Sequence, residues 1–347
     1  MRPLGVWPLG RLAAACCVAV AASVLATAAI AQSAEDFFKG KQLRLIVGFP
    51  AGNDYDLGAR LLVKYLPKYI PGHPNIIVQN MPQAASVAAA NYLYAQAPRD
   101  GTVMGSFSRN IVNEAITGQN LAADPRRFNW LGATSLPARV CVRWFTSAVK
   151  TPADLFTQDF IVGAAGAGSS LAILPTVLNH VLGTKFRIVE GYQGSNDALL
   201  AVERGELQGI CASYAQFRAS EQLIRDGKML FLLRAEETVI PEIPDVPSIF
   251  DYAKTDEQRQ LMRFVFSSTE FGRPYVYPPE VPKDRVDAMR KAVADAAHDP
   301  ELVAEAAKVQ LDMTYTAPDA LEGLVAKLYA TPPRLIATIK SILPNVK

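Results

Sequence analysis

Short apolar runs alternate with amphipathic stretches along most of this 347-residue chain. The runs at 43–49, 75–79 and 102–107 each have the length of a β-strand, and polar loops and helical stretches separate them. Repeated strand–helix units of this kind build parallel sheets with helices packed on their faces. The sequence therefore predicts an α/β fold.

The second half of the chain continues the alternation. Thr151, Pro152 and Asp154 indicate a helix start, because threonine caps, proline suits the first helical position and an acid favours the positive end of the helix. Past residue 263 the chain is expected to return to the first half, with 264–266 extended and 274–282 irregular. The remaining strands are predicted at 130–132, 140–145, 160–164, 186–189, 207–212 and 229–234, and the last helices at 283–298, 300–308 and 318–329.

The length of the chain favours two domains. Without its first 31 residues the 347-residue chain has 316 residues, and one domain usually has about 100 to 200. We expect domain 1 to comprise residues 32–138 and 264–347, and domain 2 to comprise residues 139–263.

The N-terminus indicates export. Arg2 and Arg11 supply a positive start, and an apolar run rich in alanine and valine follows at 12–30. An Ala-Ile-Ala sequence ending at Ala31 resembles a signal-peptidase site. The sequence therefore predicts a signal peptide over residues 1–31, a mature chain that begins at Gln32, and a periplasmic location.

Two other interpretations of the N-terminus remain open. The apolar run is nearly long enough to span a bilayer, so a membrane anchor is the first alternative. Cys16 and Cys17 suggest a lipoprotein as the second, although both lie early in the run. Ala13 also occupies a position where a lipobox has a large aliphatic residue.

Charge and cysteine content narrow the class of partner. Residues 1–31 contain Arg2 and Arg11 and no acids, so their removal brings the net charge from +2 to about zero. A neutral chain argues against nucleic acid or an anionic membrane as the main partner. Cys141 and Cys211 remain after processing, and two cysteines are too few for a disulfide-rich scaffold. A single disulfide and two buried free thiols are equally compatible with the sequence.

The loops that follow the predicted strands indicate an anion site. Ligands of open α/β sheets bind outside the carboxyl ends of the strands, where free amides and helix dipoles favour negative charge. Three such loops lie at 50–56, 81–86 and 106–110. Gly52 allows the main chain to approach a ligand closely, and Arg109 offers a guanidinium fork that suits a carboxylate.

A glycine-rich segment at 163–168 supports a different class of protein. The segment follows a strand and opens a helix, and Glu190 ends the next strand, where a dinucleotide site has its ribose-binding acid. An NAD-dependent oxidoreductase is therefore an alternative. The glycine order departs from the dinucleotide fingerprint, and an exported protein meets little nucleotide cofactor.

Catalytic or metal-binding residues are not evident in the sequence. His73, His180 and His298 are the three histidines, and none belongs to a cluster with metal-ligand spacing. The sequence contains no Gly-x-Ser-x-Gly elbow of the kind that carries a nucleophilic serine. We expect no enzymatic activity, no cofactor and no metal.

Taken together, the loop motifs resemble those of the solute-binding receptors of tripartite tricarboxylate transporters. The resemblance extends over almost the whole mature chain, and the order and spacing of the motifs make it specific. The matching segments are LIVGFPAGNDYDLGAR at 45–60, NMP at 80–82, APRDGT at 97–102, GAAGAGSS at 163–170, GTKF at 183–186, GYQGS at 191–195, ERGE at 203–206 and RPYVYPPEVP at 273–282.

This resemblance implies a type II periplasmic-binding fold, with two α/β domains, two chain crossings between them and a ligand in the cleft. Family members hold a carboxylate largely through main-chain amides and waters in two loops of the first domain, while loops of the second domain contact the rest of the ligand. Carried over to this chain, and with Arg109 added, the ligand-binding residues are Phe49, Gly52, Asn53, Tyr55, Gln83, Ala84, Ala85 and Ser86 on one side and Gly168, Ser169, Ser170, Tyr192, Gly194 and Ser195 on the other.

The chain departs from the family in the two loops that hold the carboxylate. Asn53 and Asp54 follow Gly52 where the family usually has further glycines, and Gln83 and Ala85 stand where it commonly has glycine. Larger side chains narrow the pocket and restrict access to the amides. Asp54 would repel a carboxylate or pair with an ammonium group on the ligand.

The resemblance implies a binding protein that closes on a small organic carboxylate without changing it chemically. Its partners would be the membrane subunits of the transporter, and we expect a monomer. A sensor that docks a signalling receptor is an alternative with the same fold.

Overall fold

The strands of this protein form two separate sheets in a computed structural model. They are β1 (Gln42–Val47), β2 (Asn75–Asn80), β3 (Val103–Ser106), β4 (Asn129–Thr134), β5 (Arg139–Trp144), β6 (Phe160–Ala164), β7 (Phe186–Glu190), β8 (Gly209–Ser213), β9 (Met229–Arg234), β10 (Arg273–Tyr277) and β11 (Tyr315–Thr316). The structure describes residues 33–118, 121–135, 138–166, 169–218, 220–237, 239–309 and 311–342. The predicted signal peptide at 1–31 lies outside the described residues.

Helices cover the faces of both sheets. They are α1 (Ala34–Phe38), α2 (Asp54–Tyr65), α3 (Val87–Ala95), α4 (Ile111–Thr117), α5 (Ser170–Leu182), α6 (Ser195–Glu203), α7 (Tyr214–Arg218), α8 (Glu221–Arg225), α9 (Asp256–Phe266), α10 (Lys283–Ala297), α11 (Pro300–Lys308), α12 (Pro318–Tyr329) and α13 (Pro333–Ile342). In the part of the chain that the structure describes, no helix has the length and apolar character needed to span a bilayer.

The first sheet has the order β11-β4-β10-β3-β1-β2 and combines parallel and antiparallel pairs. β1 pairs in parallel with β2 and β3, whereas β10 runs antiparallel between β3 and β4. Leu45, Ile46 and Val47 of β1 are fully buried, as expected for a strand covered on both faces. This burial explains why an almost continuous apolar run, rather than an alternating one, marks β1 in the sequence.

The second sheet has the order β7-β6-β8-β5-β9. β6 pairs in parallel with β7 and β8, and β5 runs antiparallel to β8 and β9. Cys141 of β5 lies directly opposite Cys211 of β8, and a disulfide joins their sulfur atoms. Both residues are buried, so the bond fastens the interior of this sheet.

Two connections join the sheets, and they touch each other. The first crossing runs from Thr134 of β4 to Arg139 of β5, and the second runs from Arg234 of β9 to Arg273 of β10. Gly272, in the second crossing, has a φ of +51°. A Cβ atom at Gly272 would lie 1.9 Å from the carbonyl oxygen of Ser135, so only glycine fits between the crossings. The predicted domain boundaries at 138/139 and 263/264 fall within these connections and remain predictions.

Two local predictions for the returning chain were wrong. Residues 264–266, predicted to be extended, form the last turn of α9, which begins at Thr255 with a capping box to Gln258. α9 buries an apolar face against α5 and α13. Residues 273–277 overlap the segment predicted to be irregular, yet they form β10, in which every residue is buried. The β10–β4 ladder shifts register at Tyr275 and Val276, which accommodates Pro274 in a central strand.

Candidate functional site

The candidate site lies where the crossings meet the carboxyl ends of the parallel strands. Val47 of β1 pairs with Ser106 of β3, and Val276 of β10 pairs with Gly105. Because β10 is antiparallel to β3, its first residue, Arg273, lies at the edge where β3 ends. In the second sheet, β6 and β7 are parallel and end together at Ala164 and Glu190. The predicted ligand loops therefore follow strand ends in both sheets.

Tyr55, in the first turn of α2, connects Arg109 to the second crossing. The Tyr55 ring stacks on Phe49, with centroids 4.1 Å apart and an angle of 24° between the planes. The Tyr55 hydroxyl accepts hydrogen bonds from the main-chain N–H and the Nε–H of Arg109, both at 3.1 Å. The same hydroxyl donates to the carbonyl of Gly272 at 3.3 Å. Three of the predicted site residues, Phe49, Tyr55 and Arg109, therefore form one contact group.

Arg109 is held in one orientation by these contacts. Its guanidinium carbon lies 5.8 Å from the centroid of the Tyr55 ring, within cation–π distance. Its side chain is half-buried, and its Nε is engaged by Tyr55. Fixing a guanidinium lowers the entropy lost when it binds an anion, because its planar fork is already oriented.

The amides of the first ligand loop form hydrogen bonds within the loop. The Gly52 N–H donates to Asp56 Oδ2 at 2.8 Å, and the Tyr55 N–H donates to Asn53 Oδ1 at 2.8 Å. The Asn53 N–H donates to the Pro50 carbonyl at 3.3 Å. The amides that the resemblance assigns to a carboxylate are thus already bonded. Asn53 is the N-cap of α2.

Asp56 is the centre of a polar network that rigidifies this loop. Its carboxylate accepts hydrogen bonds from Arg60 Nε at 2.9 Å and from Asn80 Nδ2 at 2.8 Å. Asn80 also donates to the Phe49 carbonyl at 2.9 Å, which ties β2 to the loop. Burial opposes ionisation of Asp56, but the hydrogen bonds from Arg60, Asn80 and the Gly52 amide outweigh it and hold the Asp56 pKa below its usual value. The loop is therefore fixed before any ligand binds.

The second ligand loop forms one turn of 3-10 helix at Gln83–Ser86. Ser86 is fully buried, and its hydroxyl donates to the Gly48 carbonyl at 2.8 Å. A Cβ atom at Gly48 would lie 2.4 Å from Ser86 Oγ, so any larger residue at position 48 would collide with the Ser86 side chain. Gln83 and Ala84 are exposed, and the side chain of Ala85 lies outside the description. The Ser86 side chain thus joins the two loops to each other.

The second-sheet residues lie at the ends of β6 and β7. Ser169 is the N-cap of α5, and its Oγ is buried without a hydrogen-bond partner among the described residues. The Tyr192 N–H donates to the Ala164 carbonyl at 3.2 Å, and burial raises the pKa of the Tyr192 hydroxyl. Gly194 and Ser195 begin α6. Gly168 and the side chain of Ser170 lie outside the described residues.

A charged cluster at the start of β5 and the end of β9 was not predicted. We call Arg139, Arg234 and Glu236 the crossing cluster. The Arg139 N–H donates to Glu236 Oε1 at 2.6 Å, and Arg234 Nη1 donates to the Glu236 carbonyl at 3.2 Å. Arg234 is only 7% exposed, and its Nε has no hydrogen-bond partner among the described residues. The sequence signals were an arginine at the start of the β5 segment, at 139, and another at the end of the β9 segment, at 234.

The pKa values of the crossing cluster are shifted because several positive charges lie close together where little solvent reaches them. Burial and, to a smaller extent, the positive charge of Arg109 together lower the pKa of Arg139 to about 10, while the charge of Glu236 opposes this shift. Burial also raises the pKa of Glu236 to about 7, against the hydrogen bond from the Arg139 amide and the charges of Arg139 and Arg234. Arg109 therefore lies close enough to Arg139 for their charges to repel, although the two residues belong to different sheets.

The raised pKa of Glu236 predicts a loss of stability as pH rises. The unfolded chain releases this proton near the ordinary value of 4.5, whereas the folded chain retains it to about 7. Between these values the unfolded state binds fewer protons, so the free energy of unfolding should fall with rising pH by at most about 3 kcal/mol. Urea denaturation between about pH 5 and 8 measures this slope, and Glu236→Gln should flatten it. Glu237→Gln, which changes the exposed neighbouring residue, is the control and should leave the slope as it is in the wild-type protein. If Glu236→Gln also left the slope unchanged, Glu236 would not be the group that causes the pH dependence.

Metal binding has no support in the described part of the chain, where no three His, Cys, Asp or Glu side chains are grouped to hold an ion. The site instead presents guanidinium groups, an aromatic pair and a serine hydroxyl. This set of groups suits an organic anion with some apolar surface.

Solved structures of solute-binding proteins have a fold similar to that of this chain. No known family model matches the sequence. The "UPF0065 protein in gbd 5'region" of Cupriavidus necator is 24% identical over 293 residues, which cover 80% of this chain and 82% of that protein. A TctC solute binding protein from Polaromonas superimposes with a TM-score of 0.68 at 19% identity, covering 88% of this chain and 98% of that one. An R. palustris protein with adipate superimposes with a TM-score of 0.54 at 17% identity, covering 88% and 97%.

These similarities identify the class of fold. The chain has the two-domain α/β fold of the periplasmic solute-binding proteins, so the predicted type II periplasmic-binding fold is confirmed. The resemblance to the receptors of tripartite tricarboxylate transporters, first seen in the loop motifs, is likewise confirmed in fold, since the Polaromonas protein is a TctC solute binding protein.

Proposed function

We propose that this chain is exported to the periplasm and acts there as a solute-binding receptor. It captures a small organic carboxylate and delivers it to the membrane subunits of a tripartite tricarboxylate-type transporter. The observation that carries this proposal is the Arg109 guanidinium, oriented by Tyr55 beside both crossings at the ligand-binding edge of the first sheet. The fold supports it, as does the adipate in one R. palustris neighbour and the bound malate in another.

The crossings supply the movement that such a receptor needs. Binding proteins of this class close around their ligand by rotation about a few connecting residues. Tyr55 contacts Gly272 in the second crossing, and Gly272 abuts Ser135 in the first, so the site and the hinge share residues. A ligand that contacts loops of both sheets would stabilise the closed form, which the membrane subunits would recognise. The receptor would act as a monomer and perform no chemistry on the ligand.

The ligand would lie between two sets of loops. Arg109 would pair with a carboxylate, and the stacked rings of Phe49 and Tyr55 would border the apolar part of the ligand. Ser169 would contribute its hydroxyl from the second sheet. The remaining proposed contacts are Gly52, Asn53, Gln83, Ala84, Ala85 and Ser86 from the first set and Gly168, Ser170, Tyr192, Gly194 and Ser195 from the second.

A thermal-shift screen of residues 32–347 tests the proposal. The panel contains malate, adipate, citrate, glutamate and benzoate, with NAD and NADP as competitors for the enzyme interpretation. A ligand at about 100 times its Kd stabilises the folded state by about 2.7 kcal/mol, which raises the Tm visibly. We expect at least one carboxylate to do so. A shift with NAD or NADP while the acids have no effect, or no shift with any compound, would contradict the receptor function.

Replacing Arg109 should weaken carboxylate binding strongly. Hydrogen bonds to charged groups contribute about 1.5–3 kcal/mol, so Arg109→Gln should raise the Kd of the best carboxylate by about 10-fold to 100-fold. Isothermal titration calorimetry measures this change. Arg99→Gln is the matched control. Arg99 is an exposed residue that precedes β3, at the end of the strand opposite to Arg109, and it pairs with Glu280. Equal affinities of the two variants would remove Arg109 from the site.

A further inference from the structure

We infer that Arg139 is a second anion-binding residue, and that Arg109 and Arg139 together form a two-guanidinium site that spans both sheets. The site would take a carboxylate or another oxyanion between the two forks. The inference rests on the proposed function and deepens it, because it assigns the charge recognition to side chains rather than to loop amides.

A continuous chain of contacts brings the two arginines together. Arg109 bonds to the Tyr55 hydroxyl, and that hydroxyl bonds to the Gly272 carbonyl at 3.3 Å. Gly272 lies against the Ser135 carbonyl in the first crossing. Arg139 ends that crossing and begins β5. Arg109 therefore lies beside the crossing that positions Arg139.

The main chain fixes Arg139 at the ligand edge of the second sheet. Arg139 pairs with Ser213, the last residue of β8, and β8 ends at the same edge as β6. The Arg139 N–H donates to Glu236, and its carbonyl accepts from the Ala235 N–H at 2.8 Å. Its side chain is half-buried, so solvent reaches part of it. This combination of a fixed main chain and a partly accessible guanidinium suits a ligand contact.

The charges around this point favour an incoming anion. Arg109, Arg139 and Arg234 carry three positive charges, and Glu236, whose pKa is raised by burial to about 7, supplies at most one negative charge. Glu236 uses Oε1 on the Arg139 amide, and its Oε2 is buried without a hydrogen-bond partner among the described residues. Crowded like charges at low solvation destabilise each other, and an opposite charge placed between them relieves the repulsion.

The altered first loop supports the transfer of charge recognition to arginine. Asn53 caps the Tyr55 amide and Asp56 holds the Gly52 amide, so these N–H groups have partners before a ligand arrives. A carboxylate would have to break these bonds to reach the amides. Guanidinium groups at the crossings provide an alternative pair of donors, and a bidentate fork binds a carboxylate more strongly than a neutral amide.

A shared anion would also couple charge to closure. Arg109 lies in the loop after β3 of the first sheet, and Arg139 begins β5 of the second, so an anion held by both would join the two sheets directly. Their mutual repulsion would oppose closure when the site is empty. A neutral analogue of the ligand should therefore fail to drive closure, since it cannot offset that repulsion.

Binding of sulfate and of the carboxylate panel to matched variants tests the inference. Sulfate serves as a simple dianion, titrated at constant ionic strength with chloride replaced by sulfate. The variants are Arg139→Gln, Arg139→Lys and a double variant that combines Arg139→Gln with Glu236→Gln. The double variant removes both charges, so it does not leave the buried Glu236 carboxylate without the neighbouring charge of Arg139. Arg143→Gln is the control, because Arg143 lies near the far end of β5 and bonds to the Lys150 carbonyl. It changes net charge by the same amount as Arg139→Gln.

We expect saturable stabilisation of the wild-type protein by sulfate and by at least one carboxylate. Both effects should weaken about 10-fold to 100-fold in Arg139→Gln and in the double variant, less in Arg139→Lys, and not in Arg143→Gln. Non-specific stabilisation by sulfate would appear equally in all variants and would overturn the inference.

The remaining outcomes separate the inference from the proposed function. If a carboxylate binds wild type and the double variant equally, Arg139 is not a ligand residue, while the receptor function stands. If sulfate binds through Arg139 and no carboxylate binds, the anion site stands and the carboxylate receptor does not. If neither binds saturably, both are wrong.

Discussion

Replacing Cys141 and Cys211 by alanine should lower the free energy of unfolding by about 4 kcal/mol. The disulfide joins residues 70 positions apart, and closing a loop of that length restricts the unfolded chain by about this amount in the chain-entropy description. Both cysteines are buried between β5 and β8, so the loss falls on the interior of the second sheet. Urea denaturation under oxidising conditions measures it.

The wild-type protein in excess reductant provides the control for this prediction. It should unfold at the same urea concentration as the double alanine variant, since both lack the bond. A double variant that matches the oxidised wild-type protein to within about 0.5 kcal/mol would show that the disulfide does not stabilise the fold, because even substitutions that remove no specific interaction change the free energy of unfolding by that amount.

Gly272→Ala should disrupt the contact between the two crossings. The new Cβ would lie 1.9 Å from the Ser135 carbonyl, so one crossing must move, and φ at +51° adds strain for any other residue. We expect a loss of about 3 kcal/mol or more in the free energy of unfolding, since strained backbone alone costs about 1–3 kcal/mol. Chemical denaturation measures the loss. Carboxylate affinity should fall as well, because Tyr55 bonds to the Gly272 carbonyl.

Gly227→Ala separates strain from steric conflict. Gly227 has a φ of +66°, and a Cβ there would meet nothing within 4 Å. This variant should therefore show only the cost of the left-handed conformation, about 1 kcal/mol. Equal destabilisation of the two variants would mean that the crossings are not held together at Gly272.

Much of the fold could be predicted from local sequence pattern. β6 and β9 begin and end where the apolar runs at 160–164 and 229–234 do, and a polar residue, Asp159 or Lys228, precedes each run. The failures lie where two local signals compete. Phe264, Val265 and Phe266 form a β-like apolar run, yet the capping box at Thr255 starts a helix that extends through them. Pro274 argues against a central strand, and only pairing with β4 overrides it.

Only the part of the candidate site that lies in the loops of the first sheet could be predicted, because short sequence motifs mark those loops. Arg109 lies in the loop that follows β3, so loop position pointed to it, whereas Tyr55 was indicated by the family resemblance. Arg139 and Glu236 are 97 residues apart, and their contact depends on β5 pairing with β9. Local periodicity carries no information about such a pair. The use of the Gly52 amide by Asp56 was also missed, because the sequence alone does not show which side chain a loop amide contacts.

A crystal structure of residues 32–347 with the carboxylate that raises the Tm most would test the proposed binding site most directly. We expect the ligand at the crossings, with a carboxylate oxygen within hydrogen-bond distance of Arg109 and the apolar part of the ligand beside Phe49 and Tyr55. A ligand bound elsewhere, for example in the separate crevice of about 680 Å³ lined by His298 and Tyr315, with Arg109 still bonded only to Tyr55, would contradict it.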